Sequence, residues 1–235
     1  MKIVIEDSYE NLSERAAGAM LAAMLQDKRV NIAITAGNSP VLTYQRVLEA
    51  VKANPAGFAN VHYYNFDEIP IKGQTKGVTM RELDRLFFTP AGIPASRIHP
   101  LTLENYEKHA DTIEEAGGLD FMLIGLGGDG HFCGNMPGET RFEEYIYKIH
   151  IKKEYEWYET ILALGLPETP DYFVTMGAAS VMKARRLAMI VNGAGKAQIV
   201  KRFLGSPVDA SFPASILKLH PNFTLILDKN AASAL

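Results

Sequence analysis

Phe121-Met-Leu-Ile-Gly-Leu-Gly-Gly-Asp-Gly-His131 decides the reading of this chain. The apolar run Phe121 to Ile124 is short enough for a buried strand and too short for a buried helix. Four glycines follow, with Asp129 and His131 set among and after them. Glycine admits left-handed backbone and lets a ligand approach the main chain closely. In open α/β sheets, ligands bind outside the carboxyl ends of strands. An imidazole placed there can act as acid or base near neutral pH. The stretch reads as a buried strand that delivers a site.

Outward from it, strand and helix patterns alternate. Strands are expected at Lys2 to Glu6, Val30 to Ile34, Val61 to Asn65, Tyr145 to Ile151, Tyr172 to Thr175, Leu187 to Val191 and Phe223 to Asp228. Between them lie helical patterns, the first capped by Ser8 and carrying Leu12, Ala16, Met20 and Met24 on one face. This alternation predicts an α/β fold: a doubly wound, mostly parallel, Rossmann-like sheet with helices on both faces, in one domain over 1–235.

Three further turns carry candidate chemistry. Thr35-Ala-Gly-Asn-Ser-Pro40 runs from a strand into a helix, with Ser39 expected as the cap and Pro40 as the first helical residue. Such a helix start suits an anion. Asp67 and Glu68 follow the strand Val61 to Asn65. Neighbouring side chains of an extended chain point to opposite sides, so one of the pair is expected to face a cleft, and Asp67 is favoured. Lys196, in Asn192-Gly-Ala-Gly-Lys196, stands at a helix start. A cation there opposes the helix dipole, which is easier to understand if a bound anion lies between them. The charged run Lys152 to Glu159, with Trp157, reads as a solvated face. Cys133 reads as a packed thiol, because no second cysteine or histidine cluster stands at ligand spacing.

Composition narrows the partners. Hydrophobic residues make up 47% and charged residues 22%, ordinary for a globular protein of 235 residues. A net charge of −3 gives no general attraction to nucleic acid or to an anionic membrane. One cysteine excludes an internal disulfide and fits a reducing cytoplasm. No signal-peptide core or membrane-length apolar stretch is seen.

Taken together, Asn65-Phe-Asp-Glu68, Gly125-Leu-Gly-Gly-Asp-Gly-His131, Gly37-Asn-Ser-Pro40, Gly193-Ala-Gly-Lys-Ala197 and Leu217-Lys-Leu-His-Pro221 resemble the glucosamine-6-phosphate deaminase/isomerase family, in the same order along nearly the whole chain. The 6-phosphogluconolactonases belong to the same superfamily. Asp-Gly-His is common to both branches, Asn-Phe-Asp-Glu is more like the deaminases, and Gly134-Asn-Met-Pro-Gly138 is partly like the lactonases. The resemblance implies an amino sugar phosphate substrate converted to a ketose phosphate and ammonia. It implies Asp67 as the proton carrier between C2 and C1, and His131 as the ring-opening imidazole with Asp129 beside it. It implies phosphate on the backbone N–H groups of Gly37, Asn38 and Ser39 and on Lys196, with no metal and no cofactor. The alternatives are a lactonase, in which His131 activates water, and a catalytically silent sugar-phosphate sensor.

Two departures from the family pattern stand out. Met136 takes the place of a glutamate, and no arginine lies between Arg141 and Arg185, where the family has one for the phosphate. Restoring the acid by Met136→Glu is therefore expected to help deamination. The chain stops at Leu235, short of the C-terminal segment of allosteric family members, so a monomer or small homo-oligomer with hyperbolic kinetics is expected.

Overall fold

A computed structural model describes residues 1–164, 166 and 168–235. The strands are β1 (Lys2–Glu6), β2 (Val30–Ile34), β3 (Val61–Asn65), β4 (Asp67–Glu68), β5 (Ile98–His99), β6 (Phe121–Ile124), β7 (Ile146–His150), β8 (Tyr172–Met176), β9 (Leu187–Val191) and β10 (Phe223–Asp228). The helices are α1 (Tyr9–Met24), α2 (Val41–Ala53), α3 (Val78–Leu83), α4 (Tyr106–Glu115), α5 (Tyr158–Ala163), α6 (Ala178–Met182) and α7 (Ala197–Gly205). Seven strands form one sheet in the order β1-β10-β9-β6-β2-β3-β5, and every neighbouring pair in it is parallel.

The strand pleat divides the core in two. Phe121 and Leu123 of β6, with Ala188 and Ile190 of β9, face α1 and α2. Met122 and Ile124, with Leu187, Met189 and Val191, face the opposite layer, which includes Ile113 of α4, Val181 of α6 and Phe203 of α7. Alternate residues of one strand thus enter different cores, and both faces are apolar because both are covered. This is why β6 and β9 read as continuous hydrophobic runs, and β2 as one broken only by Asn31. The expected α/β architecture, with helices on both faces, is what the chain adopts.

β7 and β8 do not join that sheet. They pair antiparallel with each other, and β4 pairs antiparallel with β8, in a separate three-stranded sheet. β7 is less buried than the central strands of the main sheet: only Ile146 and Ile149 are buried, on opposite faces and in different apolar clusters. The small sheet turns the chain after β3 away from the main sheet and sets Asp67 opposite Thr175.

One expected cap is corrected. Helix α2 begins at Val41, with Pro40 in the preceding position and no side-chain cap from its own segment. The hydroxyl of Tyr9, on α1, does that work. It donates to the carbonyl of Ser39 at 3.0 Å and accepts the N–H of Leu42 at 3.3 Å. A cap supplied from 30 residues upstream leaves no local pattern to read. No helix of the described residues is long and apolar enough to cross a membrane.

Candidate active site

A cavity of about 530 Å³ opens at the carboxyl ends of β2, β3, β6 and β9. The loops after β2 and β6 enter it from adjacent central strands, the place where an open sheet leaves a crevice. Gly37, Asn38, Ser39, Asp67, His131 and Lys196 all line it, so the two expected groups meet in one space. Asp129 is not among the lining residues and touches His131, which is.

The turn after β6 is built around the imidazole. Gly127 donates its N–H to the His131 carbonyl at 2.8 Å, and Gly130 donates to Gly127 at 3.1 Å. Gly130 has φ of +98°, and a Cβ there would lie 2.1 Å from the Phe212 ring. A Cβ on Gly127 would lie 2.1 Å from the ring nitrogen Nδ1 of His131. Glycine is therefore required at both positions, once for conformation and space and once for close packing. Asp129 accepts the His131 backbone N–H at 2.9 Å and faces Nδ1 at 2.6 Å. A carboxylate acceptor assigns the Nδ1 proton and leaves Nε2 as the ring's free acceptor. Burial pushes the Asp129 carboxyl up, but the His131 hydrogen bond and charge outweigh it and hold the group below its ordinary value.

Asp67 has the opposite character. Burial pushes its carboxyl up to about 6, against the Thr79 hydroxyl, which donates to it at 3.2 Å, and the charge of His131. Asn65 pins the adjoining backbone by donating to the Asp67 carbonyl at 2.9 Å. Glu68 points the other way, is buried, and accepts the N–H groups of Thr79 and Met80 at the start of α3. Burial pushes Glu68 up to about 8, despite those two donors. Two adjacent acids are thus separated into a cavity carboxylate and an internal cap.

In the turn after β2, Gly37 has φ of +112° and begins the approach to α2. Among the described residues, the N–H groups of Gly37, Asn38 and Ser39 have no internal acceptor. Lys196 precedes the first residue of α7.

The sequence reading missed one wall. Glu156, Trp157, Thr160 and Ile161 line the cavity, from the charged run taken as a solvated face and from α5. The lone tryptophan was the available signal, since its ring packs edge-on against Phe173 at 5.3 Å between centroids. One atom each of Asp129, His131 and Glu156 lies within 4.8 Å of the others, the only such trio among the described residues. A cation would find its donors there, though Asp129 already faces His131 and Glu156 already accepts from Gly128.

Cys133 also lines the cavity, in left-handed backbone with φ of 50°. Burial and the charge of Asp67 push its thiol far up, so it remains protonated. Met136 corrects a second expectation. It is fully buried, in an apolar cluster with Ile149, Ile151 and Phe173, and does not line the cavity. A glutamate in that place would be surrounded by hydrocarbon.

This fold and this site define a family, and the chain belongs to it: residues 5–225 match the model of the glucosamine-6-phosphate isomerases/6-phosphogluconolactonase family. Among curated relatives, the chain is 32% identical over 243 residues to the glucosamine-6-phosphate deaminase of Clostridium tetani (strain Massachusetts / E88), covering 99% of each. It is 28% identical over 240 residues to that of Shouchella clausii (strain KSM-K16), covering 99% of this chain and 97% of the relative. Among solved structures, a monomeric glucosamine-6-phosphate deaminase superposes with a TM-score of 0.86 at 25% identity, over 100% of both chains.

Proposed function

We propose that the chain is an amino sugar phosphate isomerase/deaminase. It would convert glucosamine 6-phosphate or galactosamine 6-phosphate, with water, to a ketose 6-phosphate and ammonia. The observation that carries this reading is the pair of differently tuned groups on one cavity: Asp67, with its carboxyl pushed up to about 6, and His131, with Nδ1 held by Asp129. A base poised near working pH can both take and return a proton.

In this reading the phosphate sits on the N–H groups of Gly37, Asn38 and Ser39 and against Lys196. His131 Nε2 takes the O1 proton and returns it to O5 as the C1–O5 bond breaks, which opens the pyranose. Asp67 removes the C2 proton, and the C2–H electrons form the C1–C2 double bond of an enolamine while the C1–O1 π pair moves to O1, which takes a proton from the C2 ammonium. Asp67 returns the proton to C1, leaving an iminium at C2. Water adds to C2, and the carbinolamine expels ammonia to give the ketone. Each proton is accounted for within the site, and the sequence of steps calls on no metal or organic cofactor. The reading goes with a cytoplasmic enzyme that acts as a monomer or small homo-oligomer, and with no nucleic-acid or membrane partner.

Met136 and the lack of an arginine among the cavity residues keep a lactonase reading in play. The test is one panel: glucosamine 6-phosphate, galactosamine 6-phosphate and 6-phosphogluconolactone, read for ammonia release and for lactone hydrolysis. Ammonia from either amino sugar is expected. Efficient lactone hydrolysis without ammonia would replace this reading by the lactonase. Binding of the amino sugar phosphates without turnover would replace it by the sensor.

A further inference from the structure

Lys196 is the only lysine or arginine among the residues that line the cavity, and it is not free. Its Nζ lies 3.9 Å from Oε1 of Glu156, its only ion-pair partner among the described residues. The other oxygen of Glu156 accepts the N–H of Gly128 at 2.7 Å. The carboxylate is thus hydrogen-bonded to one backbone N–H and stands beyond hydrogen-bond distance from the ammonium, within reach of its charge.

The local structure builds this seat. The segment after β7 is anchored by Trp157, which packs against Tyr155 and edge-on against Phe173. The residue before Trp157 is thereby suspended over the turn that follows β6. A Cβ on residue 128 would lie 2.6 Å from Glu156 Oε1, so a side chain there would push this carboxylate end aside. Glu156 remains 48% exposed, so water can receive it when it leaves, whereas Lys196 is 31% exposed and holds its charge in a more enclosed place.

We propose that Glu156 is an internal anion seated against Lys196, which the phosphate of an incoming ligand must displace, and which thereby sets how strongly this cavity takes phosphorylated ligands. The proposal rests on the reading of Lys196 as a phosphate ligand. With Glu156 in place the fixed cation of the cavity is neutralised, and a weakly charged sugar gains nothing by entering. A phosphate carries enough charge to compete for Lys196, while the N–H groups of Gly37, Asn38 and Ser39 give it contacts that Glu156 does not use.

The test is a calorimetric double-mutant cycle with inorganic phosphate as the probe, at fixed pH and ionic strength. The proteins are wild type, Glu156→Gln, Lys196→Ala and the double variant. Glutamine keeps an acceptor for Gly128 and removes the charge. Expected is phosphate binding about tenfold tighter in Glu156→Gln than in wild type, the scale of one charge-assisted contact. The gain should vanish in the Lys196→Ala background. Unchanged or weaker binding in Glu156→Gln, an equal gain without Lys196, or no phosphate binding by wild type and Glu156→Gln alike would each overturn the proposal. Glu156→Ala, in the same cycle, guards against an effect peculiar to the glutamine amide. The ammonia assay is read separately. No ammonia with an intact cycle removes the deaminase reading alone, and ammonia with a flat cycle removes this proposal alone.

Discussion

Asp67 owes its expected reactivity to its surroundings, since burial raises its carboxyl to about 6 while one hydroxyl and the charge of His131 pull it back. The catalytic form is the carboxylate, which is populated above that value and lost below it. The acidic limb of the kcat/KM profile is therefore expected near pH 6, about two units above an ordinary aspartate. Asp67→Asn keeps the shape and removes the base. It should lower kcat at least about 100-fold, with the fold unchanged by circular dichroism. An unaltered kcat would remove Asp67 from the mechanism. Met136 belongs at the same scale. Its side chain is enclosed by Ile149, Ile151 and Phe173, so Met136→Glu buries a carboxyl among hydrocarbon. The expected result is a loss of about 3 kcal/mol or more in denaturant unfolding, with no gain in rate. A stable and faster variant would show that the new acid escapes the cluster and reaches His131.

Helix α2 shows how one element depends on another for its end. The Tyr9 hydroxyl links the Ser39 carbonyl to the Leu42 N–H and so holds the turn that lines the cavity. Tyr9→Phe deletes that link and little else. It should cost about 1 kcal/mol of stability, the scale of a lost helix cap, and raise KM for a phosphorylated substrate more than it lowers kcat. Thermal melts and steady-state kinetics together check this; a kcat loss at constant KM would place the effect elsewhere. The strand turn after β3 is a parallel case. β4 is only two residues long, yet its pairing with β8 sends Asp67 toward the cavity and Glu68 under the start of α3. The strand alternation that favours Asp67 over Glu68 is realised in that pairing.

For the molecule as a whole, a buried histidine links protonation to stability. His109, on α4, is 4% exposed, packs edge-on against Tyr64 and has no hydrogen-bond partner on Nε2. Burial, followed by the positive charge of His99, pushes it down to about 4. The unfolded chain, with an ordinary histidine near 6.5, then binds more protons than the folded chain between about 6.5 and 4. This contribution to stability is present above that window and is lost as pH falls through it. Asp67 and Glu68, both pushed up, act in the opposite direction, so the histidine is isolated by a variant. His109→Phe should gain in melting temperature relative to wild type as pH is lowered from 7 to 4.5. A constant difference between the two proteins across that range would show that His109 takes up its proton alike in the folded and unfolded states.

The sequence by itself determined the parallel sheet, because strands buried on both faces are apolar along almost their whole length, as β6 and β9 are throughout and β2 is apart from Asn31. It also marked the turns that meet at the cavity, since glycines, an acid and an imidazole at a strand end are local features. Only the tertiary structure decided that β7 and β8 leave the main sheet, that Tyr9 caps α2 and that Glu156 seats against Lys196 and Gly128. Each of these joins segments about 30 or more residues apart, where no periodicity connects the partners. The charged side chains of the run Lys152 to Glu159 are exposed as expected, but that Glu156 among them also lines the cavity has no local pattern and follows from the packing of Trp157 on Phe173.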